Sequence, residues 1–278
     1  MKTAILITAY KDFDLLLKLL SYYDGYFDCF VHVDKKIAIP QSFSDGVKSL
    51  KTVSVIQSRT INWGGYEHIN AFLDLLKLAM EAGNEYFHLL PADAFPVKGK
   101  EYIERFGAEN KDKIYIESMD ISEDQMALDR QRYYYFADRY DLKTDRGYSA
   151  QKKILSAQKK LGISRKTVFT QKGYLYCHFN RQFAEYVFDY IKNNPGYVLR
   201  LKSCFIPEEF FFQNIAADSP FKNDLQPRHL IYDDWQGATG GGPKVLSCEQ
   251  LDEAVQSDCL FARKVNSLES GEYVLSKL

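Results

Sequence analysis

The chain has 278 residues, of which 46% are apolar and 26% charged, a composition that provides a sizeable core and is that of a globular protein. The 36 Lys and Arg nearly balance the 37 Asp and Glu, so no overall field draws the protein to nucleic acid or to an anionic membrane, and electrostatic recognition must be local. The five cysteines form no C-x-x-C pair and the five histidines no H-x-x-x-H spacing, which argues against a zinc site.

The first third of the chain alternates short apolar runs with amphipathic stretches. In chain order the pattern predicts a strand over 4–7, a helix over 12–23, strands over 27–34 and 53–56, a helix over 66–82 and a strand over 86–90. This βαββαβ order is typical of an α/β protein with a mostly parallel sheet and helices on its faces. Ligands bind at the carboxyl ends of such strands, which here are residues 8–10, 34–36 and 91–96.

The middle of the chain is less regular. Residues 130–148 mix aromatic and charged side chains too densely for a clean helix or strand. The repeated SAQKK within residues 149–161 predicts one basic amphipathic helix over 150–166. Its apolar stripe is formed by Ala150, Ile154, Ala157 and Leu161. Such a helix either rests on an anionic membrane surface or presents an ordinary solvated face.

Two further helices are predicted, over 180–193, where Asn-Pro-Gly follows, and over 207–217, with a proline in the first turn. The glycine-rich residues 237–243 are predicted to form a mobile loop. No linker-like stretch divides the chain, so we expect a single domain over 1–278. No apolar run approaches the roughly 20 residues of a membrane span, and the N-terminal run is too short for a signal peptide, so we expect a cytoplasmic, reduced protein.

Several common nucleotide and hydrolase motifs are missing from the sequence. No G-x-G-x-x-G follows the first strand, and the chain contains neither a Walker-type phosphate loop nor a G-x-S-x-G elbow. These absences argue against dinucleotide oxidoreductases, P-loop proteins and α/β-hydrolases.

Four segments, in order along the chain, carry a family resemblance. They are residues 5–36, which end in VHVDKK; residues 63–96, which run from WGG to LLPADAFP; residues 203–213, SCFIPEEFFFQ; and residues 260–265, LFARKV. Together they resemble glycosyltransferase family 14, which contains the core-2/I-branching β-1,6-N-acetylglucosaminyltransferases and the peptide-O-xylosyltransferases.

The resemblance implies a GT-A-like nucleotide-binding α/β sandwich and an inverting transferase that uses a UDP-sugar without a metal ion. Where most GT-A enzymes carry an Asp-x-Asp metal motif, this chain has a single carboxylate, Asp93. Asp12 and Asp14 do match Asp-x-Asp, but they stand at a predicted helix start, where acidic residues usually cap the helix. We therefore expect no metal and no other cofactor; a metal-dependent transferase using Asp12 and Asp14 is the alternative.

The resemblance also implies a donor site. Lys264 matches the family's phosphate-binding lysine, and Arg263 beside it is a second cation suited to phosphate oxygens. Asp34, with Lys36 nearby, matches the position that holds the nucleotide base, and Asp93 would accept a hydrogen bond from the donor sugar. Without the resemblance, these residues are equally typical of exposed pairs and turns. A second phosphate-binding arginine of the family has no match here.

The general base implied by the resemblance is Glu209, in Pro207-Glu208-Glu209. An inverting transfer needs one base to take the proton from the acceptor hydroxyl, and a carboxylate near a helix N-terminus is ready to accept it. Two alternatives stay open: Glu209 serves only as a first-turn capping residue, or its neighbour Glu208 is the base.

Acceptor recognition is implied for a set of polar and aromatic residues whose faces suit sugar rings. This set consists of Glu117, Arg132, Tyr133 and Trp235. Residues 172–175 (KGYL) depart from the family's Gly-Ser-x-Trp. Two places are open for Trp63, beside the donor or in the core as an anchor for its helix, and packing in the core is favoured.

The resemblance thus implies transfer of a GlcNAc-like sugar, with xylose, glucuronic acid and galactose left open, to a glycan or lipid-linked glycan in bacterial surface polysaccharide synthesis. Peripheral contact of residues 150–166 with the inner face of the membrane stays open beside a solvated helix face, which is the favoured interpretation. The alternative is a non-catalytic protein that binds sugar nucleotides or glycans on the same fold.

Overall fold

A computed structural model describes residues 1–238 and 241–278 of the chain. The strands are β1 Thr3–Ala9, β2 Asp28–Val33, β3 Val53–Ile56, β4 Tyr86–Pro91, β5 Phe95–Pro96, β6 Ile114–Tyr115, β7 Met119–Asp120, β8 Gln171–Lys172, β9 His178–Asn180, β10 Leu225–Gln226, β11 Ile231–Asp233 and β12 Phe261–Arg263. The helices are α1 Phe13–Tyr23, α2 Gln41–Lys48, α3 Glu67–Glu81, α4 Lys100–Glu109, α5 Gln125–Arg132, α6 Asp145–Lys160, α7 Arg181–Asn193, α8 Pro195–Leu201, α9 Phe211–Ala217, α10 Cys248–Gln256 and α11 Leu268–Leu275. Residues Pro207–Glu209 form a short 3₁₀ turn.

The central sheet is built around β1. Its strand order is β10-β6-β9-β4-β1-β2-β3, with β1 parallel to both β2 and β4 and only β9 antiparallel to its neighbours. Every residue of β1 is buried, as expected of a strand covered by helices on both faces. The predicted α/β class, a mostly parallel sheet flanked by helices, is confirmed.

The predicted βαββαβ order is wrong in one place. Helix α2 connects β2 to β3, so the order is βαβαβαβ. The helix was missed because its sequence, QSFSDGVK, is mainly polar and buries only Phe43, which leaves no apolar stripe to detect.

The second half of the chain differs from the prediction at two prolines. Pro195, expected only to end α7, also occupies the first turn of α8. The predicted helix over 207–217 is divided into the 3₁₀ turn and α9, and Ile206 before it adopts a left-handed conformation with φ 52°.

Helix α6 buries a different face from the predicted one. Of the expected apolar stripe, Ala157 and Leu161 are exposed, whereas Gln151 and Gln158 are buried. The two glutamines exchange hydrogen bonds of 2.8–3.1 Å with backbone groups of Tyr134 and Phe136. The neighbouring segment 133–144 is irregular and its backbone needs partners, so the polar face of the helix turns inward.

The carboxyl ends of β1, β2 and β4 lie together at one edge of the sheet. The Asp34 backbone NH donates to the Ala9 carbonyl across 3.0 Å, and the Ala92 NH donates to Thr8 across 3.1 Å. A second, three-stranded sheet of order β11-β12-β5 joins this edge, because Val265 just after β12 donates its NH to the Asp93 carbonyl across 3.0 Å.

Three further features of the chain are its cysteines, one loop and the character of its helices. Cys29 and Cys177 are buried thiols in the core. The predicted loop over 237–243 includes Thr239 and Gly240, which lie outside the described residues. Within residues 1–238 and 241–278, no helix combines the length and apolar character needed to cross a bilayer.

Candidate active site

A cavity of about 360 Å³ brings several predicted site residues together. Its lining comes from the segments that follow β6, flank β8, and surround the 3₁₀ turn and β11: Glu117, Met119, Lys172, Gly173, Tyr174, Glu209, His229, Asp233 and Trp235. Glu209, predicted to be the base, therefore shares one cavity with Glu117 and Trp235, predicted to bind the acceptor.

Glu209 rather than Glu208 faces this cavity. The Glu209 side chain is 34% exposed, whereas Glu208 is buried and directs its Oε1 toward His68 Nδ1, 3.7 Å away. Glu209 is held from two sides: its Oε2 accepts a hydrogen bond from Arg130 Nη2 across 2.8 Å, and its backbone carbonyl accepts one from the Gly173 NH across 2.9 Å. The geometry thus presents one positioned carboxylate to a ligand.

Arg130 is a site residue that the sequence did not reveal. Its guanidinium is 10% exposed, lies over the Phe210 ring and also donates to the carbonyls of Phe205 and Ile206 across 3.2 Å. It therefore fixes both the carboxylate of Glu209 and the backbone that carries it. No motif marks Arg130, since it lies in a stretch rich in other arginines and tyrosines.

The aromatic and acidic walls of the cavity suit a hydroxyl-rich ligand. The indole of Trp235 is 49% exposed and donates from Nε1 to Asp233 Oδ2 across 3.0 Å. Glu117 Oε2 accepts from the Tyr174 NH across 2.9 Å, while its Oε1 lies 3.9 Å from His229 Nε2. An open aromatic face beside carboxylate acceptors is an arrangement that binds sugar rings.

Two predicted acceptor residues, Arg132 and Tyr133, lie outside this cavity. Arg132 pairs with Asp129 at 3.1 Å, and the Tyr133 ring packs under Lys159 of α6. Neither lines the cavity. Two residues along a helix differ by about 200° in direction, so α5 cannot point both Arg130 and Arg132 at Glu209.

The predicted donor residues Asp93 and Arg263 bind each other. Arg263 Nε donates to Asp93 Oδ1 across 2.7 Å, and its Nη1 donates to the Tyr174 hydroxyl across 2.5 Å. The guanidinium is 14% exposed and packs over the Tyr176 ring, where burial raises the pKa of Tyr176 to about 12. The charges of the pair therefore largely cancel, and the pair lies between the cavity and the edge of the sheet at the carboxyl ends of β1, β2 and β4. We call this edge, where the donor-binding residues are predicted, the donor edge.

Lys264, the other predicted phosphate-binding residue, differs from Arg263 in its partners. It has no carboxylate within ion-pair distance among the residues that the structure describes. Burial lowers its pKa, and the charges of Arg263, Lys11 and Lys143 lower it further. A Cβ added at Gly242 would lie 2.7 Å from the Lys264 Nζ, so any other residue at this position would displace the lysine ammonium. Lys264 is thus a lysine near Asp93 that forms no ion pair with any carboxylate among the described residues.

Asp34 and Lys36 organise the carboxyl end of β2. Asp34 is buried, and its Oδ1 accepts from the backbone NH groups of Lys36 and Ile61 across 3.1 and 3.2 Å. The Lys36 ammonium donates to Asn62 Oδ1 across 2.8 Å and lies 3.5 Å from the Asp141 carboxylate. These contacts join the end of β2 to the irregular segment 133–144.

Trp63 does not pack in the core as predicted. Its ring is 39% exposed, edge-on to Phe205, and 3.5 Å from the position of a Cβ on Gly241. Gly241 and Gly242 therefore lie beside Trp63 and Lys264 respectively, on the exposed side of the donor edge.

The Asp-x-Asp sequence after β1 does not cap helix α1 as expected. Asp12 has φ 55°, makes no capping hydrogen bond with its side chain, and pairs with Lys11 at 2.9 Å, while Asp14 is exposed in the first turn. Across residues 1–238 and 241–278, no three His, Cys, Asp or Glu side chains come together in a way that could hold a metal ion.

Comparisons with known proteins identify the family of this chain. A family model described as "Core-2/I-Branching enzyme" matches residues 4–256, which includes Glu209 and ends before Arg263 and Lys264. No curated protein matches the chain. Solved structures that match include S. aureus TarS 1-349, at 17% identity over 43% of this chain and 36% of that one with a TM-score of 0.32, and its complex with UDP-GlcNAc, at the same identity and TM-score over 43% and 34%.

The 4-diphosphocytidyl-2C-methyl-D-erythritol synthase from Anaerococcus prevotii DSM 20548 also matches, at 11% identity over 70% of this chain and 75% of that one, with a TM-score of 0.37. The chain spans about a third of the length of the TarS structures. The family model, by contrast, covers most of the chain and confirms the predicted resemblance. The chain belongs to the core-2/I-branching enzyme family, which is a family of glycosyltransferases.

Proposed function

We propose that this protein transfers one sugar, of the N-acetylglucosamine type, from a UDP-sugar to a glycan hydroxyl with inversion and without a metal ion. The observation that carries the proposal is the position of Glu209. It is a carboxylate fixed by Arg130 that opens into a cavity with an exposed tryptophan, and Lys264, which forms no ion pair among the described residues, belongs to the adjoining donor edge.

In the proposed reaction, Glu209 takes the proton of the acceptor hydroxyl as that oxygen attacks the anomeric carbon of the donor. The bond from the anomeric carbon to the β-phosphate oxygen breaks, and UDP leaves on the opposite face, so the configuration inverts. The charge that grows on the leaving diphosphate needs a fixed positive partner, and Lys264 supplies it. A divalent cation does the same work in metal-dependent enzymes.

A contact between the predicted donor-binding residues and the cavity supports these roles. Arg263 donates to Asp93 at the donor edge and to Tyr174 in the wall of the cavity. Arg263 therefore contacts both the predicted donor-binding Asp93 and a wall of the cavity, and we assign it the role of holding the two sides of the site in a fixed arrangement for transfer.

For the acceptor we propose a neutral sugar in a lipid-linked glycan of surface polysaccharide synthesis, presented from an anionic membrane. The exposed side of α6 and of the segment after it is rich in lysine, and Leu161 is 70% exposed beside it. Exposed lysines with an apolar neighbour suit the surface of such a membrane.

The test is release of UDP from a panel of UDP-sugars in the presence of acceptor glycans, in EDTA and in Mn²⁺. We expect turnover that EDTA leaves unchanged. Glu209→Gln should lower kcat by about 10²–10⁴-fold and keep UDP affinity, because general-base catalysis contributes about that factor. Glu208→Gln, one residue away and outside the cavity, is the matched control and should retain UDP release.

Two results would count against the proposal. Turnover that appears only with Mn²⁺ would assign the chain to a metal-dependent transferase. Binding of UDP-sugars without UDP release for any acceptor would make the protein a binding protein on an enzyme fold.

A further inference from the structure

At the donor edge Arg263 is already engaged, because its Nε donates to Asp93 and its Nη1 donates to Tyr174. Lys264 is then the predicted phosphate-binding cation that has no ion-pair partner among the described residues. A diphosphate that is bound without a metal ion carries several negative charges, and one lysine compensates only one of them.

Two other lysines converge on the same edge from different segments. Lys11 follows β1 and Lys143 lies just before α6, yet both ammonium groups stand over the ring of Tyr10, at 5.9 and 5.6 Å from its centroid. Tyr10 itself is 53% exposed at the carboxyl end of β1. The two cations therefore face solvent at the place where the sheet presents its ligand-binding edge.

Lys264 belongs to the same group of charges. Its backbone lies at this edge, because the next residue, Val265, donates its NH to the Asp93 carbonyl across 3.0 Å, and the Ala92 NH donates to the Thr8 carbonyl across 3.1 Å. Burial lowers the pKa of Lys264, and the charges of Arg263, Lys11 and Lys143 add to this effect while Asp93 opposes it. Among the residues that the structure describes, neither Lys143 nor Lys264 has a carboxylate within ion-pair distance, while Lys11 has Asp12 at 2.9 Å. A group of positive charges of which two form no ion pair favours binding of an anion.

The position of Lys143 is set by contacts with the predicted base-binding residues. Its backbone NH donates to Asp141 Oδ1 across 3.0 Å, and Asp141 Oδ2 lies 3.5 Å from the Lys36 ammonium. Segment 141–143 is thus attached to the end of β2, where the predicted base-binding residues Asp34 and Lys36 lie.

We propose that Lys11 and Lys143 form, together with Lys264, a three-lysine cradle over Tyr10 that binds the diphosphate of a nucleoside diphosphate in place of a metal ion. This assignment rests on the proposed function for the identity of the nucleotide, but the cradle binds a diphosphate through its charges alone. Inorganic pyrophosphate is therefore a sufficient probe.

The experiment measures lysine acetylation of the whole wild-type chain by mass spectrometry, in EDTA, with and without saturating pyrophosphate. We expect the acetylation rates of Lys11, Lys143 and Lys264 to fall together by about tenfold, as occupied charge-assisted contacts shield their amines. Lys152 and Lys153, exposed on α6, are internal controls whose rates should not change. Because this experiment uses the wild-type chain, its result does not depend on whether a variant folds.

A second measurement uses titration calorimetry of pyrophosphate with single variants. Lys143→Ala should weaken affinity about tenfold or more and reduce its dependence on salt, Lys143→Arg should largely restore both, and Lys152→Ala should change neither. Protection of Lys264 alone, or unchanged affinity in both Lys11→Ala and Lys143→Ala, would overturn the cradle.

The outcomes also separate this inference from the proposed function. UDP-sugar turnover in EDTA without protection of Lys143 would refute the cradle and leave the transferase standing. Protection of all three lysines in a protein that releases no UDP would support the cradle and refute the transferase.

Discussion

Arg130 Nη2 donates a hydrogen bond to Glu209 Oε2 across 2.8 Å, and the same guanidinium donates to the backbone carbonyls of Phe205 and Ile206. One buried side chain from α5 thereby holds both the proposed base and the turn that presents it. Because Ile206 adopts a left-handed conformation that a β-branched residue avoids, this turn needs such external support.

Replacement of Arg130 by methionine should therefore damage catalysis more than donor binding. We expect kcat to fall about 10–100-fold, since small displacements of a reacting group have effects of that order, with an unchanged KM for the UDP-sugar. Because the carbonyls of Phe205 and Ile206 lose their donor, the free energy of unfolding should decrease by about 1–3 kcal/mol. Kinetics and urea unfolding measure the two effects.

Arg132→Met is the matched control for that variant. It lies on the same helix and loses only a partly exposed pair with Asp129, which should change stability by less than about 1 kcal/mol and leave kcat intact. A large loss of activity in Arg132→Met would restore Arg132 to the acceptor site and contradict its placement outside the cavity.

Gly173 allows two backbone segments to meet in the wall of the cavity. A Cβ there would lie 1.9 Å from the Glu117 carbonyl oxygen, while the Gly173 NH donates to the Glu209 carbonyl. We expect Gly173→Ala to force these segments apart, lowering activity at least tenfold and stability by about 1–3 kcal/mol, the usual cost of overpacking.

The comparison for Gly173 is Gly196→Ala in α8, where an added Cβ meets nothing within 4 Å. Alanine in a helix should there be neutral or stabilising by up to about 1 kcal/mol. Thermal melting of the two variants, with activity at a single donor concentration, checks the contrast; equal melting temperatures would refute the close approach at Gly173.

Asp14→Asn tests the metal-dependent alternative. Asp14 is an exposed first-turn residue, so we expect unchanged turnover and only a small loss of stability, within about 0.3–1 kcal/mol, from a weaker interaction with the helix dipole. If turnover were lost in this variant and recovered at high Mn²⁺, Asp14 would be a metal ligand.

The buried pair His88 and His178 makes stability depend on pH. Their Nδ1 atoms lie 2.9 Å apart in one hydrogen bond, so at least one ring is neutral, and burial lowers the pKa of His88 to about 3. Burial lowers the pKa of His178 as well, with His88 adding to the effect. In the unfolded chain both return toward the ordinary histidine value of about 6.5.

The unfolded state then binds more protons than the folded state. The free energy of unfolding therefore has its full value above about pH 6.5 and decreases as the pH falls. Between pH 6.5 and pH 5 we expect the free energy of unfolding to decrease by about 2 kcal/mol for His88 alone. Urea unfolding at several pH values measures the slope. A free energy of unfolding that stays constant over this range would show that the pair takes up protons in the folded state.

The sequence predicted those parts of the fold whose own residues carry the signal. The apolar run of β1 and the stripe of α3 appear where periodicity placed them, whereas α2 was missed because it buries one side chain. Helix α6 was assigned the wrong buried face, since its partner is an irregular backbone that only Gln151 and Gln158 can satisfy. A prediction from periodicity assumes that the helix packs against an apolar surface, whereas α6 packs against irregular backbone.

The candidate site shows the same division. Family motifs pointed to Glu209 and Lys264, and the structure brings Glu117 and Trp235 to the same cavity as Glu209. Arg130 and Lys143 escaped notice because their importance comes from contacts with residues far away in the chain. Long-range ion pairs leave no local pattern in a sequence.

The most direct test of the account is a crystal structure of the chain with UDP, soaked in the presence of EDTA. We predict that the diphosphate contacts the Lys264 ammonium with no cation beside it, and that the Glu209 carboxylate faces the β-phosphate across the space for one sugar. A divalent ion between the diphosphate and carboxylates in crystals grown with Mn²⁺, with no UDP bound in EDTA, would contradict it.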